Sequence, residues 1–140
     1  MPLLLEIVTP EARIFSDEVE SVVLPGAEGE MGVLPSHAPL VTTLLPGELR
    51  YTKGGKTTDM AVGEGLVEVT GSTTRVLTDM AIDADAIDEK VAEEALQRAK
   101  TALENLKSAH GSSDDEIAAT MAMIQRSTAQ LHVKRKRRTV

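Results

Sequence analysis

The sequence predicts a β + α chain: an N-terminal antiparallel β-sandwich over residues 1–84, then an antiparallel two-helix hairpin with a basic tail over residues 85–140. Three observations carry this. Short apolar runs separated by glycine and proline recur up to about residue 80, with no helical period among them. Near Asp83 the spacing changes, and Val91, Ala95, Ala99, Ala102 and Leu106 step by four, four, three and four along one helix face. Gly111 and the Ser113-x-x-Glu116 capping box then divide that helix from a second.

The strands follow in order. Leu3 to Val8 ends at Thr9-Pro10, a turn signal, and Arg13 to Phe15 is a short second strand. Val19 to Leu24 is a third. Leu40 to Leu45 is closed by Pro46-Gly47. Leu49 to Thr52 and Thr57 to Val62 flank Lys53-Gly54-Gly55-Lys56, whose Gly-Gly centre suits a tight hairpin turn. Leu66 to Thr70 and Thr73 to Thr78 complete the set, joined by Gly71-Ser72.

Between the third and fourth runs lies the stretch Pro25 to Leu40, with glycine at 26, 29 and 32 and proline at 25, 35 and 39. Glycine reaches positive φ freely, proline removes a donor, and residues before proline are pushed toward extended geometry. The expectation is a long shaped loop without regular structure. Loops of that length in compact domains are usually functional or disordered, and the stiff prolines favour a presented surface.

In the second half, Asp85, with Asp88 three residues on, is placed to cap the first helix, and Asp88 and Glu89 suit its positive end. The second helix carries the stripe Ile117, Met121, Ile124, Thr128 and Leu131. Its first turn is acidic and its end basic, matching the macrodipole. The seam between the helices is mostly alanine. Burying a Leu or Ile contributes roughly 1.5–3 kcal/mol and an alanine far less, so the hairpin is expected to be marginal alone and able to detach.

Composition narrows the chemistry. With one Phe, one Tyr and no Cys, the core must be aliphatic, and disulfides, thiolate metal sites and thiol nucleophiles are excluded. Met1 to Leu5 meets Glu6 at once, too short for a signal peptide or a membrane span, so a soluble intracellular protein is expected. Five of the 15 basic residues form the run Lys134, Arg135, Lys136, Arg137 and Arg138. Without that run the net charge of −7 becomes −12. An acidic body with a basic tip calls for an acidic partner.

Gly55-Lys56-Thr57 resembles the end of a phosphate-binding P-loop, but Arg50 stands where that motif needs glycine, and the context is a hairpin. His37, His110 and His132 have no metal-ligand spacing, and Ser36 beside His37 cannot form a nucleophile–base pair in extended chain. No catalytic residue, metal or cofactor is expected. The basic run leaves two further readings open. One is a nucleic-acid contact, which lacks aromatic stacking platforms; the other is a frayed, solvated terminus.

These residues resemble the epsilon subunit of F-type ATP synthases. The resemblance runs through Val22-Val23-Leu24-Pro25-Gly26, Glu28-Gly29-Glu30, Gly32-Val33-Leu34-Pro35 and His37-Ala38-Pro39-Leu40, then Pro46-Gly47 and Leu66-Val67-Glu68-Val69, with the helix pair completing it. It implies a non-catalytic central-stalk subunit on the cytoplasmic face of the bacterial inner membrane. Such a subunit ties gamma to the c-subunit ring for proton-driven ATP synthesis. Glu28, Glu30 and His37 would look toward the ring. The hairpin would rise into the alpha/beta catalytic head and inhibit ATP hydrolysis, with the basic run, Lys134 to Arg138, meeting an acidic loop of the beta subunits. Family members that bind ATP in the hairpin carry Ile/Leu-Asp-x-x-Arg-Ala. Here Val91 replaces that arginine in Ile87-Asp88-Glu89-Lys90-Val91-Ala92, leaving Asp88 and Arg98 as the matching positions. Loss of a bidentate phosphate donor predicts weak ATP binding or none.

Overall fold

The computed structural model of the chain describes residues 2–109, 111 and 113–138, the last two by backbone only. His110 and the side chains of Arg137 and Arg138 therefore lie outside the described residues. Ten strands precede the helices: β1 (Leu3–Val8), β2 (Arg13–Val19), β3 (Ser21–Gly26), β4 (Gly29–Val33), β5 (Leu40–Leu44), β6 (Gly47–Lys53), β7 (Lys56–Val62), β8 (Gly65–Val69), β9 (Thr73–Thr78) and β10 (Ala81–Asp83). A 3-10 turn over Ala84–Ala86 leads into α1 (Glu89–Ser108), and α2 (Asp114–Arg138) closes the chain.

The strands run β10-β7-β6-β3-β5-β8-β9-β1-β2, with β4 paired to β3. The ribbon folds over at β3, where Gly26 opposite Leu44 is the one register pair linking the two layers. Phe15 and Tyr51 stack with ring centroids 4.6 Å apart and join β2 to β6 across the open side. Strand alternation fills the interior with Leu3, Leu5 and Ile7 from β1, Val67 and Val69 from β8, and Val76 from β9. One pairing departs from the antiparallel expectation. β1 and β9 are parallel, in register from Leu4 opposite Thr73 to Val8 opposite Leu77. A parallel pair needs a long crossover, which the intervening strands supply.

The stretch from Pro25 to Leu40 is not the unpaired loop its glycines and prolines suggest. β4 returns along β3 from Gly26 opposite Gly29 to Val22 opposite Val33. Gly29 takes φ +118°, which lets Ala27 and Glu28 make the tight connection. Pro25 is tolerated because it falls between the end of the β3–β6 ladder at Val23 and the β3–β5 pair at Gly26, where a missing N–H breaks no ladder bond, while its carbonyl accepts from Leu45 N at 2.8 Å. Only residues 34–39 remain irregular. The other glycine expectations hold: Gly54 and Gly55 have φ of 59° and 76° in the β6–β7 turn, and Gly111 has φ of 87° between the helices.

The cap at Ser113 forms as expected, accepting from Glu116 N at 3.1 Å, whereas the cap of α1 is Asp88 itself, which accepts from Val91 N at 3.1 Å. Asp85 is not a cap; Asp83 caps the 3-10 turn by accepting from Asp85 N. Both stripes are displaced. In α1 the buried residues are Ala92, Leu96 and Ala99, while Val91 is 57% exposed. In an alanine-rich helix two overlapping faces have helical period, and the one containing Leu96 buries more apolar area. In α2, Met121 and Thr128 are exposed, and Ser127, Ala129, Leu131 and Val133 are buried. That helix touches two surfaces at once, so no single stripe describes it. Ile124 and Leu131 meet Ala92 and Leu96 of α1, whereas Val133 meets the sheet domain.

Ser36 is the only non-glycine residue with positive φ among the described residues, at 66°, in the turn that follows Pro35. Left-handed geometry costs a side-chain-bearing residue roughly 1–2 kcal/mol, partly offset in glycine by its larger unfolded-state entropy. Ser36→Gly is therefore expected to stabilise the chain by about 0.5–1 kcal/mol, measured by denaturant unfolding. A loss of stability would show that the Ser36 side chain contributes more than its backbone strain removes.

Candidate functional site

α2 lies across β6, β7 and the 3-10 turn rather than standing clear of the sheet. Val133 is its large apolar anchor, buried with Ala61, Ala84 and Ile87 and flanked by Met80 and Ile82. The rest of the seam is polar. Arg126 pairs with Asp79 at 3.1 Å, and Gln130 Nε2 meets Met80 Sδ at 3.0 Å. Lys134 Nζ donates to the Ala84 carbonyl at 3.1 Å, and Lys136 Nζ to Glu48 Oε1 at 2.8 Å. Arg135 turns the other way and bridges Glu89 and Glu93 of α1. Arg126, Gln130 and Lys134 recur every four residues, and Gln130, Val133 and Lys136 every three, the spacings that keep residues on one helix face. A cradle at Gly63 receives Asp79: a Cβ there would stand 1.8 Å from Asp79 Oδ1.

The frayed-terminus reading therefore fails for Lys134, Arg135 and Lys136. Each is in α2 and engaged inside the molecule. Arg137 and Arg138 lie outside the described side chains.

Glu48 is the centre of this seam on the sheet side. Its side chain is only 8% exposed and accepts at Oε1 from both Lys136 and Arg50, the latter at 2.7 Å. Oε2 is buried without a hydrogen-bond partner among the described residues. Burial pushes the Glu48 carboxyl up, but hydrogen bonds from Lys136 and Arg50 outweigh it and hold the group below the ordinary glutamate range. Arg50 also reaches Glu30 at 3.1 Å, so four charges from β4, β6 and α2 form one chain.

Glu28, Glu30 and His37 do not cluster. Glu28 is in the two-residue turn at the tip of the β3–β4 hairpin, and Glu30 is one residue into β4. His37 lies past the far end of β4, beyond Ser36, whose N–H donates to the Gly71 carbonyl. The His37 Nδ1 is 2.7 Å from the Ala38 carbonyl, so that nitrogen carries the proton. Seven residues separate Glu30 from His37, on the order of 20 Å of extended chain. Glu30 lies on β4, whose outer edge is open because β4 pairs with β3 alone among the described strands, and Glu28 and His37 flank the two ends of that strand. On the opposite layer, Val41, Leu66 and Leu77 point outward from β5, β8 and β9 and are 65%, 37% and 36% exposed. Leu66 is directly opposite Leu77, and Val41 is diagonal to Leu66.

Two family models match successive parts of the chain: the ATP synthase delta/epsilon beta-sandwich domain over residues 2–84 and the delta/epsilon long alpha-helix domain over residues 85–135. The chain belongs to the ATP synthase delta/epsilon family. The ATP synthase epsilon chain of Herpetosiphon aurantiacus is 41% identical over 138 residues, covering 99% of this chain and 98% of that protein. That of Desulforamulus reducens is 52% identical over 99 residues, 71% of this chain and 75% of that one. A chain in the cryo-EM structure of Euglena gracilis mitochondrial ATP synthase superimposes with a TM-score of 0.71 at 21% identity, over 91% of this chain and 78% of that one. At that identity the likeness speaks to the fold.

In this delta/epsilon chain the two residues marked for nucleotide contact are set apart. Asp88 uses its carboxylate as the α1 cap, and Arg98 is exposed ten residues on, roughly 15 Å along the helix axis. Val91 between them faces outward. The residues that sequence reasoning missed are Glu48, Asp79, Arg126 and Gly63. Arg126 alone left a trace, as a lone cation amid the apolar half of α2. The other three read as ordinary loop and strand residues until the fold sets α2 against them.

Two outcomes follow from this seam. The ionised Glu48 favours the docked helix, because its folded pKa is depressed. That contribution is complete above the ordinary glutamate pKa of about 4.3 and is lost as pH falls through the lower folded value. Hydrogen exchange of α2 amides should therefore rise in acid relative to β1, and Glu48→Gln should remove that component of the pH response. Gly63→Ala should displace Asp79 from Arg126 and loosen α2 at neutral pH without removing any charge. Unchanged α2 protection in that variant would mean that the Asp79 pair does not hold the helix.

Proposed function

We propose that this chain is a non-catalytic central-stalk subunit of a rotary ATP synthase, with the sheet domain as anchor and the hairpin as a brake on ATP hydrolysis. It joins gamma to the c-subunit ring at the cytoplasmic face of a bacterial membrane, coupling rotation to proton-driven synthesis. One observation carries the two-part reading. The buried sandwich core is drawn from residues between Leu3 and Val76, with no helical residue in it. The hairpin can leave without opening that core.

What holds the hairpin down is modest. Val133 is the large apolar side chain that α2 buries against the sheet domain, and the neighbouring ion pairs are partly exposed. One such burial contributes roughly 1.5–3 kcal/mol, and an exposed pair such as Arg126–Asp79 about 0–1 kcal/mol. A hairpin so held can exchange between a docked and a raised position. In the raised position the basic run, Lys134 to Arg138, would meet acidic surface on the beta subunits of the alpha/beta head. The two positions then compete for the same cations.

The free edge of β4 supports a ring contact through Glu28, Glu30 and His37. The outward apolar face of Val41, Leu66 and Leu77 suits gamma, because contiguous exposed apolar surface marks protein interfaces. Regulatory ATP binding is expected to be weak or absent, since Val91 cannot replace a bidentate arginine. A nucleic-acid role for the basic run is not favoured, because Lys134, Arg135 and Lys136 are engaged internally.

Removal of residues 89–140 from the subunit in a reconstituted complex tests the brake. ATP hydrolysis should rise while gamma still co-purifies with the sheet domain. Unaltered hydrolysis would sink the inhibitory role, and loss of gamma would sink the anchoring role.

A further inference from the structure

The chain Glu30–Arg50–Glu48–Lys136 crosses the molecule from the edge strand β4 to the end of α2. Its geometry is unbalanced at the centre. Arg50 divides its two terminal nitrogens, NH1 on Glu48 Oε1 at 2.7 Å and NH2 on Glu30 Oε1 at 3.1 Å. Lys136 takes the same Glu48 Oε1, at 2.8 Å. Glu48 Oε2 is buried with no hydrogen-bond partner among the described residues. An orphaned buried carboxylate oxygen is costly, and the guanidinium already on its twin has a second terminal nitrogen whose fork geometry suits relieving it. What keeps Arg50 NH2 away is Glu30, whose side chain is 65% exposed and open to an outside partner.

We propose that these four charges are a relay through which a cationic side chain of a partner, by engaging Glu30 on the β4 edge, loosens the docking of α2. When Glu30 is taken, Arg50 NH2 turns to Glu48 Oε2 and the pair becomes a two-pronged fork. The Glu48 charge is then matched on both oxygens by Arg50, and Lys136, which already shares Oε1 with Arg50, faces a closer like charge and a more fully neutralised carboxylate. The hold on the last turns of α2 weakens. Occupation of the β4 edge and release of the hairpin are thereby linked, each favouring the other by the same factor. This rests on the reading of the hairpin as a movable element and of the β4 edge as an interface.

The relay can be tested on the full chain alone, with Glu30→Gln standing for neutralisation by a partner. Amide hydrogen exchange over residues 129–136 should rise about two- to fivefold in Glu30→Gln, as expected for loss of one partly exposed pair. Lys136→Gln should produce a rise of similar size, and the double variant no more than either. Arg50→Lys keeps the charge but cannot fork, so in that background Glu30→Gln should have no effect on α2. Unchanged exchange over β1 and β9 confirms that each variant is folded. If Lys136→Gln loosens α2 but Glu30→Gln does not, the relay is wrong. The relay also falls if Glu30→Gln acts equally with lysine at 50. None of these readouts involves ATP hydrolysis, so a failed brake and a failed relay are told apart.

Discussion

Leu3, Leu5, Ile7, Leu24, Leu44 and Val76 meet in an apolar interior that takes nothing from the helices, and that closure sets the terms for everything outside it. Strand alternation supplies the inward side chains, and the Gly26–Leu44 pairing lets one long ribbon fold into two facing layers. The Phe15–Tyr51 stack then ties the far sides together. Because this core is satisfied by itself, the helices attach at a second, smaller seam with its own energetics. A protein whose helices filled the sandwich could not release them without unfolding.

The second seam is unusual in its balance. Alanines at 61, 84 and 129 let α2 come close but bury little surface, so charge carries much of the attachment. Charge at a half-buried site responds to pH, to salt and to competing partners in a way that apolar burial does not. Lys136 and Glu48 show the principle, since one lysine on α2 meets an acid that burial alone would discourage from ionising. A basic run that serves both as the docked clasp and as the proposed contact in the raised state makes those states exclusive by construction.

The edge strand β4 shows how a rule of thumb can mislead by half. Three glycines and three prolines within Pro25–Leu40 argue against regular structure, and residues 34–39 obey them. Yet an edge strand needs only one partner, and Pro25 sits where the ladder is switching neighbours. The resulting surface is still presented outward, as the loop reading required, but it is a strand edge with Glu28 and Glu30 at one end and His37 past the other.

By itself the sequence determined the division into a sheet part and a helical part. It also determined the hairpin turn at Gly54-Gly55, the cap at Ser113, the break at Gly111 and the family. All of these rest on local rules: backbone freedom at glycine, caps within three residues, and periodicity. Tertiary structure decided which of two overlapping apolar faces α1 buries and why α2 needs two. It also decided that β1 and β9 run parallel, and that Glu48, Asp79 and Gly63 receive the end of the chain. Those pairings join residues up to 88 positions apart. No local rule reaches that far, because a carboxylate on β6 and a lysine on α2 acquire meaning for each other only when folding removes the water between them.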